Sequence, residues 1–304
     1  MTTINRVAVI GSGTMGRQIA LQIARHGFSA VLYDIDDTAL ERAQTAQQAY
    51  VAEWIEDGAI VADDADAIFE RLEYATDLET AVKDVDLAIE AIPERLDLKR
   101  TLFAQLDRLM LPHAIIATNS SSIRVSLLED VTERPELVAN LHFYMPVWDS
   151  PMVEVGGGSS TDADVLDTLT IFSKQIGILP LRVMKESTGF IFNRVWRAIK
   201  KEVLKVADSG VASFEDIDRA WITKYGTHEL PPFAHMDRIG LDVVKDIEEH
   251  YASESGDPAD MPPPILTEKV ARGDLGQKTG RGFYSYPNPA YADPDFLKPD
   301  LDNA

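Results

Sequence analysis

No cysteine occurs in the 304 residues, which removes disulfides, thiolate metal sites and cysteine nucleophiles together. A chain without thiols fits a reducing, cytoplasmic setting. No run of about 18 apolar residues is present to span a bilayer, and no basic-then-apolar leader opens the sequence, so no membrane role is expected. Histidine is scarce: the six, at 26, 113, 142, 228, 235 and 250, show no HExxH or similar spacing, and no metal centre is expected. Positive charge is the last shortage. Fifty acids against 29 Lys and Arg leave a net charge of -21, a surface that repels DNA and RNA phosphates and argues against nucleic-acid binding. The deficit is deepest from Asp36 to Asp86, where 15 acids meet three bases, Arg42, Arg71 and Lys83. A polyanionic ligand finds little help there.

What is present suffices for two cored domains. The first half alternates short apolar runs with amphipathic stretches, the pattern of βαβ units and a parallel sheet. VAVIG (7–11) reads as a buried strand, residues 14–27 as a helix stopped by Gly27, and SAVLYDID (29–36) as the next strand. Residues 37–57 and 62–73 read as two helices, a hairpin excursion outside the sheet. DLAIEAI (86–92), AIIATN (114–119) and LVANLHF (137–143) continue the strands, with a helix over 95–110. VEV (153–155) and ILPLRV (178–183) extend the sheet's far edge around a helix at 161–176. Beyond Lys185 the patterns are helical, the longest being 189–210, and the tail from Pro287 is expected to be loosely ordered. The expected architecture is a Rossmann-type, doubly wound α/β domain over 1–186, followed by an all-helical domain over 187–304.

Gly11-Ser12-Gly13-Thr14-Met15-Gly16 sits where such a sheet places a dinucleotide. Gly11 permits the tight turn, Gly13 lets backbone approach a pyrophosphate, and Gly16 lets helix and strand pack closely. The helix beginning at Thr14 and Met15 offers unpaired N–H groups to phosphate. Asp34 ends the second strand, placed to hold ribose hydroxyls. Ile35, Asp36 and Asp37 follow it, with no base for a 2′-phosphate, which favours NAD over NADP.

Four later segments add chemistry: ATNSSSI (117–123), LHFYMP (141–146), MVEV (152–155) and STGFIFNR (187–194). His142 closes a strand and Glu154 interrupts an apolar run. Singly each has a structural explanation: a satisfied histidine, an edge-strand acid, capping serines, a surface Asn193. Together behind a dinucleotide fingerprint they fit alcohol oxidation, which needs a base near neutral pH and a carboxylate to orient it.

With these stretches, and with DLAIEAIPERLDLKR (86–100), GVASFEDIDRAW (210–221), MDRIGLD (236–242) and LGQKTGRGFYSY (275–286), the sequence resembles the L-3-hydroxyacyl-CoA dehydrogenases from Val7 to about Tyr286. The resemblance implies an NAD domain with a helical hairpin and a helical domain that forms a homodimer. It implies His142 as the base that takes the 3-hydroxyl proton, Glu154 as its orienting partner, and Ser121 and Asn193 as ligands of the substrate's oxygens. Glu94, Lys99 and Asn119 match positions on the cofactor side.

The match also breaks. The family's His-Phe-Phe-Asn-Pro segment is here His142-Phe143-Tyr144-Met145-Pro146, and Val147-Trp148-Asp149 follows. The excursion, lysine-bearing in acyl-CoA-using members, has only Arg42 and Arg71 as bases, and Pro231 stands where the family tends to have Gly. The reading is therefore NAD-dependent oxidation of a 3-hydroxyacyl-CoA. The alternatives are the same reaction on a free, gulonate- or carnitine-like hydroxy acid, or a non-catalytic NAD-binding protein.

Overall fold

Along Arg6–Ile10, here β1, Val7 and Val9 enter one apolar core while Ala8 and Ile10 enter another. A strand buried on both faces belongs to a sheet with helices on either side. The computed structural model describes residues 3–227 and 230–298, and the chain divides into two units, Met1–Ile191 and Phe192–Ala304.

In the first unit β1 is joined by β2 (Ser29–Tyr33), β3 (Leu72–Ala75), β4 (Leu87–Glu90), β5 (Ile115–Thr118), β6 (Val138–Phe143), β7 (Met152–Gly157) and β8 (Leu179–Arg182). Their order is β3-β2-β1-β4-β5-β6-β7-β8. All neighbours run parallel except β6 and β7, which are antiparallel. The helices α1 (Thr14–Arg25), α2 (Asp37–Glu56), α3 (Ala62–Glu70) and α6 (Ala163–Gln175) bury Ile19, Leu40, Ile68 and Phe172 on one face. Between them in sequence, α4 (Leu78–Val82) and α5 (Leu96–Leu109) bury Ala81 and Phe103 on the other. This is the doubly wound fold with its hairpin excursion, α2 and α3. The order in which strands are added reverses between β1 and β4, and the crevice at the strands' carboxyl ends there is where such sheets take ligands.

Three local expectations needed correction. The second excursion helix stops at Glu70 rather than 73, because Leu72–Ala75 joins the sheet edge beside β2. A four-residue strand is too short to show periodicity against a helical neighbour. The serines of 120–122, read as possible helix caps, precede no α-helix, and single turns follow at 125–127 and 129–131; the Ser120 hydroxyl accepts from the Ile123 N–H at 2.7 Å. The long helix expected from 189 begins at Phe192, since Gly189 and Phe190 take φ of 73° and 46°, a left-handed region that ends or precedes helices.

The second unit comprises α7 (Phe192–Asp208), α8 (Phe214–Tyr225), α9 (Pro232–Ile239), α10 (Leu241–Ser255) and α11 (Pro264–Ala271) around Leu204, Phe233, Met236, Leu266 and Phe283. Past Pro287 the described segment is mostly exposed, with one anchor. Phe296 is buried in this core, with the Arg219 guanidinium 4.5 Å over its ring. His228 and residues 299–304 lie outside the described residues. Among the described residues no helix is long and apolar enough to cross a membrane, and no group of three or more His, Cys, Asp or Glu is placed to hold a metal.

Candidate active site

The glycine loop leaves β1 with Gly11 at φ 110°. A Cβ on Gly11 would stand 2.6 Å from the Ala91 carbonyl oxygen, and one on Gly16 only 1.8 Å from that of Gly11. Both positions are therefore closed to any larger residue by backbone itself. Gly13 differs, since a Cβ there would meet nothing within 4 Å. Open space beside Gly13, Thr14 exposed and Met15 half-buried at the start of α1, and no acid in that helix's first turn make a cradle for a phosphate group. Asp34, one residue past β2, turns its carboxylate to the same loop: Oδ2 accepts from the Ser12 N–H at 2.9 Å and the Ser12 hydroxyl at 2.7 Å. Asp36 is used otherwise, capping α2 by accepting from the Thr38 N–H.

Across the crevice, the ends of β4 and β5 carry a charged cluster. Lys99, on α5, is 1% exposed and lies 2.5 Å from Glu90 and 3.1 Å from Glu94. Glu90 also accepts from the Thr118 hydroxyl at 2.6 Å and the Ile92 N–H at 2.8 Å. Its burial raises its pKa, with Lys99 opposing. Glu94 binds the hydroxyls of Ser120 and Ser122. Burial works against its ionisation, but the Lys99 charge and the two hydroxyls prevail and hold it at about 2. Ser121, between those serines, is half-buried. Asn119 takes the Phe143 N–H on its side-chain oxygen at 2.8 Å, tying the end of β5 to the strand that carries His142.

The third group depends on register. The antiparallel pairing of β6 and β7 sets His142 directly opposite Glu154, which puts both side chains on one face. His142 Nδ1 lies 2.9 Å from Glu154 Oε2; the histidine is 7% exposed and the glutamate 0%. An ionised carboxylate at Nδ1 takes that proton's hydrogen bond and leaves Nε2 with its lone pair. Glu154 also accepts from the Ile191 N–H on Oε1 at 2.8 Å and from the Tyr144 hydroxyl on Oε2 at 2.9 Å. Of the remaining expected residues, Asn193 stands in the first turn of α7, half-buried. Met145 is 53% exposed.

Residues 6–187 match the family model described as 3-hydroxyacyl-CoA dehydrogenase, NAD binding domain, and residues 189–286 match that of the 3-hydroxyacyl-CoA dehydrogenase C-terminal domain. The chain belongs to the 3-hydroxyacyl-CoA dehydrogenase family. It is 35% identical over 282 residues to 3-hydroxybutyryl-CoA dehydrogenase of Clostridioides difficile, covering 92% of this chain and 99% of that one. It is 31% identical over 285 residues to 5-formyl-3-hydroxy-2-methylpyridine 4-carboxylate 5-dehydrogenase of Mesorhizobium japonicum, covering 93% and 91%. The crystal structure of (S)-3-hydroxybutyryl-CoA dehydrogenase from Ralstonia eutropha superposes with a TM-score of 0.88 at 34% identity, covering 94% of this chain and all of that one.

As a 3-hydroxyacyl-CoA dehydrogenase family member the protein is an NAD-dependent oxidoreductase acting on a CH–OH group. The open space beside Gly13 and the Asp34 carboxylate on the same loop are chemically suited to the phosphates and ribose of a dinucleotide. Sequence reasoning passed over Glu90, Ser120, Ser122 and Tyr144. An acid inside the apolar run 86–92 with a lysine nine residues later was the signal available for Glu90; nothing local marked the hydroxyls.

Proposed function

We propose that this protein oxidises the C3 hydroxyl of a 3-hydroxyacyl-CoA, or reduces the corresponding ketone, with His142 as general base or acid. The observation that carries the reading is the buried His142–Glu154 pair at 2.9 Å, on strands inside the segment that matches the family's NAD domain. His142 Nε2 takes the hydroxyl proton, and Glu154 stabilises the imidazolium that forms while holding the ring's orientation. NAD, when bound, supplies the acceptor for the hydride that leaves C3. Gly11, Gly13, Thr14, Met15 and Gly16 make its phosphate cradle, and Asp34 binds its ribose hydroxyls in exchange for Ser12. Glu94 and Asn119 border its nicotinamide end. Lys99 acts there through Glu94, whose charge it holds, because its own ammonium is buried between two carboxylates. Ser121 binds the substrate's oxygen, and Asn193 is assigned the same task on the resemblance.

We assign cofactor binding to residues 1–186, and substrate binding and homodimerisation to 187–304, in a cytoplasmic enzyme. A second reading has its own support. The excursion's acids oppose a CoA nucleotide, the apolar Met145 is open to solvent, and the Mesorhizobium relative is named for a pyridine carboxylate. That reading keeps the reaction and replaces the thioester with a free small acid. NADH consumption with acetoacetyl-CoA beside acetoacetate, dehydrocarnitine and a keto-gulonate separates the two. Turnover of the thioester is the expected result, and turnover only of a free acid establishes the second reading. NADH binding with no turnover on any of them would overturn both readings of the substrate.

A further inference from the structure

Tyr144 lies one residue past the end of β6 and two beyond His142. Its hydroxyl donates to Glu154 Oε2 at 2.9 Å, the oxygen that His142 Nδ1 contacts at the same distance. Its ring stands edge-on to the imidazole, with centroids 4.6 Å apart at 61°. Phe190 lies on the imidazole as well, at 5.8 Å and 39°. One side chain therefore touches both members of the pair, the histidine through its ring and the glutamate through its hydroxyl. A phenylalanine here would keep the ring contact and lack the donor.

We propose that Tyr144 is a positioning residue for the reaction, acting through Glu154. This rests on the His142–Glu154 reading above. The Ile191 N–H reaches Oε1, while the imidazole and the phenol both reach Oε2. Held on that oxygen by the imidazole alone, the carboxylate can swing with the ring. The phenol hydroxyl, converging on Oε2 from the end of the strand, keeps that oxygen in line with Nδ1. It also takes up part of the negative charge on Oε2, so Glu154 orients the imidazole without drawing its proton across. A purely structural tyrosine would serve stability and nothing else; this one sits on the oxygen that the base uses.

The test is a double-mutant cycle on turnover, with the full-length protein and the best substrate from the comparison above. Tyr144→Phe should lower kcat by about 3- to 10-fold, with KM for NADH and the melting temperature unchanged, the signature of an interaction specific to the reaction. In the Glu154→Gln background the same substitution should cost less than about twofold, because the hydroxyl's partner oxygen has changed. Equal losses in both backgrounds, or a kcat equal to wild type for Tyr144→Phe, would overturn the proposal. A rise in KM for NADH of the same size as the fall in kcat would also overturn it, by showing a disturbed loop instead of a mispositioned base. His142→Gln separates this from the underlying reading: retained turnover there removes the base itself, whereas lost turnover beside a silent Tyr144→Phe removes only Tyr144.

Discussion

Glu154 in the sheet unit and Asp218 in the helical unit both have 0% exposure, yet they are answered by different chemistry. Asp218 accepts from the N–H groups of Phe233 and Ala234 at 3.1 and 3.4 Å and from the Tyr284 hydroxyl at 2.8 Å. Asp237 does the same for the N–H groups of Phe283 and Tyr284, each at 2.8 Å, and for the Tyr286 hydroxyl at 3.0 Å. These two acids pin the 283–286 segment to α8 and α9. Their partners are backbone amides and phenols, which neither give up nor take a proton in ordinary conditions. Burial pushes the Asp218 carboxyl up to about 6 and raises Asp237. Glu154 also takes an amide and a phenol, but in addition it faces an imidazole, a ring built to exchange protons near neutral pH, and that ring keeps its second nitrogen. Burial of an acid thus says little about function by itself. What distinguishes the two is whether the partner retains an atom that the fold has not used.

The sharpest way to break this contrast is His142→Gln. Turnover should fall by at least ~100-fold, the usual scale for a lost general base, with NADH affinity and melting unchanged. Turnover near wild type would make Glu154 a structural acid like Asp218. The converse substitution, Asp218→Ala, leaves two amides and a phenol unpaired and should cost the helical unit about 2–4 kcal/mol in urea unfolding. A loss below about 0.5 kcal/mol would show that water replaces the carboxylate.

The pH dependence follows from the same difference. Asp218 rises from 3.8 to about 6 on folding, so the folded state holds the extra proton. Its contribution is whole below 3.8 and lost as pH rises through about 6. By linkage that swing is at most about 3 kcal/mol, and Asp218→Asn should flatten stability across this window. A weaker effect is expected at the cofactor loop, where Asp34→Ala should raise the NADH dissociation constant about 10-fold, or ~1.4 kcal/mol, with kcat at saturation little changed. An unchanged dissociation constant would remove Asp34 from the ribose. The smallest effect on stability belongs to Glu94, whose value falls from 4.5 to about 2 but whose side chain is 40% exposed, so solvent screens most of it. The stability it adds is present above 4.5 and fades as pH drops towards 2. Glu94→Gln should abolish only that acid limb in a melting series, and an identical limb in the variant would assign it to another carboxylate.

How far the sequence could be read varied from place to place. The Gly11–Gly16 loop was legible because its requirements are local: a tight turn, a close strand–helix contact and an open helix end all fall within six residues. The strands around 86–92, 114–119 and 137–143 were legible because each is a continuous apolar run between turns. β3 was not, since Leu72–Ala75 earns its place only by pairing with β2. Lys99 was marked as a residue of the cofactor side, but its partners Glu90 and Glu94 come from the end of β4 and the loop beyond it. The helix start at Phe192 depended on a left-handed Phe190, which no propensity suggests.

By itself the sequence determined the cofactor class, through a dinucleotide loop, and it marked a histidine and a glutamate set in apolar strands. It did so because backbone sterics and hydrophobic periodicity act over a few residues. Only the tertiary structure decided which oxygen of each buried acid is occupied, and by what. The antiparallel register that sets His142 opposite Glu154, and the approach of the Tyr144 hydroxyl to the same oxygen, come from pairing and packing across the sheet. A one-residue slip in that pairing would send every side chain to the opposite face, leaving the composition untouched and the site gone.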